Sequence, residues 1–176
     1  MLHWLNGLGS RFRKAGYKVP KYMIEAHGKT LFEWSMESLE GFDLQNSTCI
    51  FIVRKEDQAS DFIYSTCKKI GIGDAKIVEL DYLTDGQATT AMLAADVWDK
   101  QDSLMIYNID TYVEAGQMKT EQICGDGFIP CFHADGDHWS FAKLDENGRV
   151  VEVREKSRIS DNCTLGAYYF KTCGLY

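Results

Sequence analysis

Only two prolines interrupt the 176 residues, and no apolar run nears the roughly 20 residues that a membrane-spanning helix needs. The scarcity of proline argues against a stiff linker, and the second absence argues against an integral helical membrane protein. Met1 to Asn6 holds no basic stretch followed by an apolar one, so no secretory leader is expected. Repeats and low-complexity tracts are missing as well, which points to one domain over residues 1–176. Cations are in the minority: 19 Lys and Arg against 26 Asp and Glu leave a net charge of −7. A broad nucleic-acid-binding face requires clustered cations and is therefore not expected, whereas a small anionic ligand requires only a local group of donors. Six cysteines are present, but none forms a C-x-x-C pair and no close Cys/His spacing suggests zinc. Reduced, mostly structural thiols in a cytoplasmic protein are the expectation.

What is present alternates. Thr30 to Phe42 opens with a threonine followed three residues later by Glu33, a capping box, and its apolar residues recur at near-helical spacing. Thr48 to Val53 is a short apolar run that reads as a buried strand. Asp57 to Ile70 carries Ala59, Phe62, Ile63, Cys67 and Ile70 on one helical face, with Gly71 as its stop. Ala75 to Leu80 is the next strand, Gln87 to Trp98 the next helix, and Leu104 to Tyr107 another buried strand. Such alternation implies a parallel sheet covered by helices. The second half differs: strands over Trp139 to Leu144 and Arg149 to Arg154 flank Asp145-Glu146-Asn147-Gly148, a hairpin, and Ala167 to Lys171 is a last strand. The fold class is thus α/β, a Rossmann-like mixed sheet flanked by helices, with an antiparallel hairpin added in the C-terminal half.

Three segments offer chemistry. Gly7-Leu8-Gly9-Ser10-Arg11 is a glycine-rich turn in which backbone N–H groups approach phosphate without obstruction; Arg11 adds a planar fork, and Lys21, after Pro20, a point charge. An ordinary charged surface loop is the plainer reading of the same residues. The turn lacks both the third glycine of a dinucleotide fingerprint and a Walker ending, and Val53-Arg54-Lys55 stands where an oxidoreductase of that fold needs an acid. Thr84-Asp85-Gly86-Gln87 opens a helix; Gly86 suits a base lying flat against the backbone, with Thr84 or Gln87 as a polar contact, and a simple helix cap is the alternative. Asn108 and Asp110 follow a buried strand, at the end of a sheet where ligands gather, and Asp110 suits Mg²⁺ as well as it suits capping a turn. His133 to His138 contains metal-capable side chains, but Asp135-Gly136-Asp137 reads as a solvated turn. Glu155-Lys156, at the end of the hairpin, reads as a solvated pair or as a substrate contact.

Taken in order, GLGSRF, PKY with Lys21 ten residues after Arg11, GKTLFEWSMESL, TDGQATTAMLAA, YNID, REKS and LGAYYF resemble the sugar-phosphate nucleotidyltransferases, the NDP-sugar pyrophosphorylases and their choline-phosphate-type relatives. The resemblance spans nearly the whole chain. It implies transfer of a nucleoside monophosphate from an NTP to a phosphorylated acceptor, a sugar 1-phosphate before others, with release of pyrophosphate, in surface-polysaccharide precursor synthesis. It assigns Arg11 and Lys21 to catalysis. Gly7, Leu8, Gly9, Ser10, Thr84, Gly86 and Asn108 fall to the nucleotide. Ser140, Glu155, Lys156 and Gly166 fall to the acceptor, and Asp110 to Mg²⁺. The partners implied are the NTP and a small phosphorylated acceptor, with no nucleic acid and no membrane, in a monomer or homodimer. Relative to the family, the first strand and the segment beyond LGAYYF are expected to be short. A nucleotide-binding, regulatory member with little or no catalysis is the alternative.

Overall fold

A computed structural model describes the backbone of residues 2–4 and 10–176, and side chains from Phe12 onward. In chain order the elements are β1 (Leu2–Trp4), α1 (Ser10–Lys14), β2 (Glu25–Ala26), β3 (Lys29–Thr30), α2 (Leu31–Glu37), β4 (Thr48–Arg54) and α3 (Ser60–Lys69). There follow β5 (Asp74–Leu80), α4 (Gln87–Met92), β6 (Leu104–Asn108), β7 (Gly127–Phe128), β8 (Cys131–Phe132), β9 (Ser140–Leu144), β10 (Val150–Glu155), β11 (Cys163–Thr164) and β12 (Ala167–Phe170).

Six strands form the main sheet in the order β5-β4-β1-β6-β12-β7. The first four run parallel, and β12 returns antiparallel to both β6 and β7. The short β1 lies in the middle, its His3 opposite Phe51 on one side and Tyr107 on the other. A second sheet, β10-β9-β11-β8, holds the expected hairpin, and β2 pairs with β3. This is the mixed α/β architecture expected.

The alternation of side chains along the strands divides the core in two. Cys49, Phe51 and Val53 of β4 and Met105 and Tyr107 of β6 pack with Phe32, Met36, Ile63 and Cys67 from α2 and α3. Ile50 and Ile52, with Leu104 and Ile106, pack instead with Ala91 and Ala94 around α4, and with Cys173. Both faces are covered, which is why these strands read as unbroken apolar runs. Four cysteines are buried, two are exposed, and all six are free. Burial pushes the Cys49 and Cys67 thiols up to about 11 and about 12, which keeps them protonated and inert.

Three helices are shorter than their periodicity predicts, two at the end and one at the start. Beyond Glu37 the chain tightens into i→i−3 turns, Leu39 N to Met36 O and Phe42 N to Leu39 O, and Gly41 comes so close to Met118 that a Cβ would stand 2.4 Å from its carbonyl oxygen. Docking against a distant segment outweighs helix propensity there. Asp57 belongs to a separate 3-10 turn, Lys55–Asp57, and Gln58, at φ 46°, breaks the chain before α3. After Met92, tight bonds from Ala94 N to Ala91 O and Val97 N to Ala94 O replace the α-helical ladder, letting Ala94 pack flat against the sheet. Trp98 therefore lies outside α4.

The hairpin turn is built by Asp145, whose carboxylate Oδ1 accepts from Asn147 N and Arg149 N, each at 2.9 Å, while Gly148 takes the left-handed conformation at φ 76°. No helix among the described residues is long and apolar enough to cross a membrane.

Candidate functional site

The four parallel strands point their carboxyl ends to one edge of the sheet, the edge where open α/β folds bind ligands. The segment from Asp81 to Gly86 before α4 and the turn after β6 both leave from it. Gly7, Leu8 and Gly9 lie outside the described residues, as do the side chains of Ser10 and Arg11, whose backbone opens α1.

Lys21 starts a single 3-10 turn, Lys21–Met23, entered through Pro20 at φ −53° and ψ 145°. Its neighbour Tyr22 is buried and donates its hydroxyl hydrogen to Asp57 Oδ2 at 3.1 Å. Burial, and then the adjacent carboxylate, push that phenol far above its ordinary value, so it stays a neutral anchor. With Tyr22 fixed, Lys21 turns the other way and pairs with the Asp110 carboxylate. The Lys21 side chain is 12% exposed and that of Asp110 50%. A nearly enclosed ammonium thus meets a carboxylate that opens to solvent.

Asp110 is held by the turn it sits in. Thr111 N bonds back to Asn108 O at 3.1 Å, and the buried Tyr107 hydroxyl donates to Thr111 O at 2.9 Å. Burial raises that phenol to about 12. Two serines of the α2 segment clamp the same turn: Ser35 Oγ donates to Asn108 O at 3.4 Å, and Ser38 Oγ accepts from Val113 N at 2.9 Å. The sequence reading placed Ser35 on the apolar helical face and gave Ser38 no role. Two serines three residues apart among apolar neighbours were the available signal.

Gln87, first residue of α4, joins the second and third segments. Its Nε2 donates to Asn108 Oδ1 at 2.9 Å and to Gly166 O at 3.4 Å. Gly166 is left-handed at φ 73°, and a Cβ there would stand 2.6 Å from Asn108 Nδ2. Glycine is required twice over, for its backbone and for the space. Gly86 precedes α4 fully extended, with no side-chain cap, so Asp85 does not cap the helix, and among the described residues nothing stands within 4 Å of where its Cβ would be. The Thr84 hydroxyl bonds that of the buried Thr90, which also bonds Gly86 O at 2.8 Å. Thr84 therefore braces the loop around Gly86.

The remaining assigned residues sit on the smaller sheet. Ser140 and Glu155 are directly opposite one another across β9 and β10. Lys156, just past β10, is left-handed at φ 52°, donates its N–H to Trp139 O at 2.8 Å, and pairs with Glu155 at 2.8 Å. Cys163 of β11 pairs with Phe141, the residue after Ser140, and β11 runs through Gly166 into β12. The chain itself links the Ser140–Glu155–Lys156 corner to the Asn108–Gln87–Gly166 contact. His133 to His138 is a turn, with Gly136 at φ 89° and Trp139 Nε1 bonded to Asp135 O, and no three metal-capable side chains converge among the described residues.

Comparison with solved structures decides the family. A nucleoside-diphosphate-sugar pyrophosphorylase from Vibrio cholerae RC9 is 38% identical over 98% of this chain and 73% of its own, with a TM-score of 0.87. The chain belongs to the sugar-phosphate nucleotidyltransferases. More distant members share the fold. An inositol-1-phosphate CTP transferase from T. maritima is 16% identical over 96% of this chain and 69% of its own, at a TM-score of 0.74. A candidate glucose-1-phosphate thymidylyltransferase from Bacillus anthracis, solved with a sucrose, is 15% identical over 96% and 70%, at 0.79. No family model matches the chain, and no curated protein matches it by sequence.

Proposed function

We propose that this nucleotidyltransferase joins a sugar 1-phosphate to the nucleoside monophosphate of an NTP and releases pyrophosphate, supplying an activated sugar for surface-polysaccharide assembly. The observation that carries the reading is the Lys21–Asp110 pair, an enclosed ammonium against a half-open carboxylate at the ligand-binding edge of a nucleotidyltransferase sheet.

In this reading an oxygen of the acceptor phosphate attacks the α-phosphorus in line, and the bond to pyrophosphate breaks. Two polyanions meet, so the protein's task is to place cations between them and hold both still. Lys21 sits between the α-phosphate and the incoming phosphate. Arg11 neutralises the charge that gathers on the leaving pyrophosphate. The open backbone at Gly86 receives the flat face of the base, Thr84 keeps that loop in shape, and Asn108 holds the nucleotide at an amide fixed by Gln87. Ser10 and the Gly7-Leu8-Gly9 turn complete the nucleotide contacts.

On the acceptor side, Glu155 binds sugar hydroxyls, Lys156 binds the phosphate, and Ser140 and Gly166 line the pocket. Asp110 is the group that fits Mg²⁺: its carboxylate is half exposed and, among the described residues, pairs with a single cation. Mg²⁺ commonly takes one or two protein carboxylates and completes its shell with water and substrate phosphates, so a lone aspartate suits it. When bound, the ion supplies charge neutralisation at the triphosphate, and Lys21 holds the carboxylate in place until then.

Pyrophosphate release, measured for each of four NTPs against a panel of sugar 1-phosphates with and without Mg²⁺, is the direct test. Lys21→Ala is expected to lower kcat by about 100- to 1,000-fold, the usual cost of removing one transition-state contact. A folded protein that binds NTP by calorimetry yet releases no pyrophosphate with any pair would support the regulatory alternative instead.

A further inference from the structure

Arg158 lies outside the residues assigned so far, yet its guanidinium makes five hydrogen bonds. Nε donates to Gly136 O at 3.0 Å, and Nη2 donates to Gly136 O at 2.8 Å and Ala134 O at 2.5 Å. Nη1 donates to Asp161 Oδ1 at 2.9 Å and to Ser160 O at 3.5 Å. The same plane lies over the ring of the fully buried Phe141, 5.0 Å from its centroid. Its acceptors therefore come from two separate loops, one leading into β9 and one following β10.

Those loops bracket the corner where Ser140 faces Glu155 and where Lys156 follows. Lys156 holds a left-handed backbone, which strains a residue with a Cβ and persists only where the surroundings enforce it. Its N–H bond to Trp139 O is one restraint. A second comes from Ser160, whose Oγ donates to Ala142 O at 2.7 Å and accepts from Asn162 N at 3.1 Å, while its carbonyl takes the Arg158 bond. The only formal charge in the staple besides the guanidinium is the exposed Asp161 carboxylate, and three of the five bonds go to carbonyls of the 134–136 loop. Shape, more than charge, is what this guanidinium supplies.

We propose that Arg158 is a positioning residue for the acceptor substrate: by tying the two loops together it holds the Ser140–Glu155–Lys156 corner preformed for the sugar phosphate. This rests on the acceptor assignment above. A guanidinium meets all these acceptors because its donors are spread over a rigid plane; a lysine ammonium is a point and replaces only one or two of the five bonds.

The test is steady-state kinetics on Arg158→Lys and Arg158→Ala, varying acceptor at saturating NTP and then the reverse. The acceptor KM is expected to rise about tenfold or more in both variants, because a loosened contact misplaces the substrate, while the NTP KM changes by less than about twofold. Free guanidinium at millimolar concentration restores part of the loss in Arg158→Ala, and methylammonium does not. An unchanged acceptor KM, an equal rise in both KM values, or full activity in Arg158→Lys would overturn the proposal. If Arg158→Ala does not fold, Arg158→Lys carries the same comparison. Lys156→Ala separates the two levels: no change in acceptor KM there removes the acceptor assignment and this inference together. A rise there, beside an unaffected Arg158 series, removes this inference alone.

Discussion

Gly166 shows how tightly single residues are specified at this site. A methyl group there meets the end of the Asn108 amide, which has room to swing away, so the fold is expected to survive Gly166→Ala. Swinging away breaks the bond from Gln87 and turns the amide from the start of α4. The left-handed backbone adds its own cost of about 1–2 kcal/mol for a residue with a Cβ. Thermal unfolding of Gly166→Ala is expected to show that modest loss, alongside a fall in kcat/KM of about tenfold or more, the scale of effect that misplacing a positioning group has. Repeating the substitution on an Asn108→Ala background separates the contributions. There the thermal loss remains and the further loss of kcat/KM disappears. Equal kinetic losses on both backgrounds would mean that the methyl group acts elsewhere.

At the scale of elements, α2 has a pH dependence written into its first turn. Glu33 accepts from the Thr30 N–H at 2.8 Å and from the Thr30 hydroxyl at 2.9 Å, its own N–H bonds Thr30 Oγ1 at 3.2 Å, and Lys69 of α3 bonds its other oxygen at 2.6 Å. Burial alone raises the carboxyl, but the bonds from Lys69 and Thr30 together more than offset it and hold Glu33 below the ordinary carboxylate range. A depressed folded-state pKa stabilises above the unfolded value, and that contribution fades as pH falls through the folded one. The melting temperatures of the wild type and Glu33→Gln should therefore differ at pH 7 and converge in acid, below that depressed pKa. A gap that stays constant between pH 7 and pH 3 would show that the carboxylate charge is not responsible.

This cap was legible in the sequence because Thr30 and Glu33 interact across three residues. So were β4 and β6, whose apolar runs depend only on burial, and the hairpin with its Asp145–Gly148 turn, whereas the two-residue strands β2, β3, β7, β8 and β11 were not. The ends of α2 and α4 were not, because what stops them is a backbone carbonyl at Met118 and the sheet face under Ala94, both remote in sequence. The site divides the same way. Asp110 and Lys21 were readable as residues with suitable chemistry, but their pairing spans 89 positions and depends on Tyr22 being drawn into the core. Arg158 was invisible, since nothing local marks an arginine whose acceptors lie 22 and 24 residues upstream.

Across the whole molecule, the strand order decides what must be present before anything is complete. β12 lies between β6 and β7, so β6 depends on residues about 60 positions further along the chain for its second neighbour, and β7 on the same residues. Without it, Leu104 to Asn108 would present an open edge of nearly continuous apolar residues, the arrangement most prone to pairing with another chain. Deletion of residues 167–176 is therefore expected to give aggregates on size-exclusion chromatography, and a monodisperse, folded product would contradict that account. β1 sets the opposite requirement: it has no neighbours in the sheet until residues 48–54 and 104–108 have followed it. A growing chain thus carries its central strand unpaired until those residues have followed it, and an open edge on β6 until residues 167–170 have. Protection of these unpaired strands while the chain is made is what such a strand order calls for.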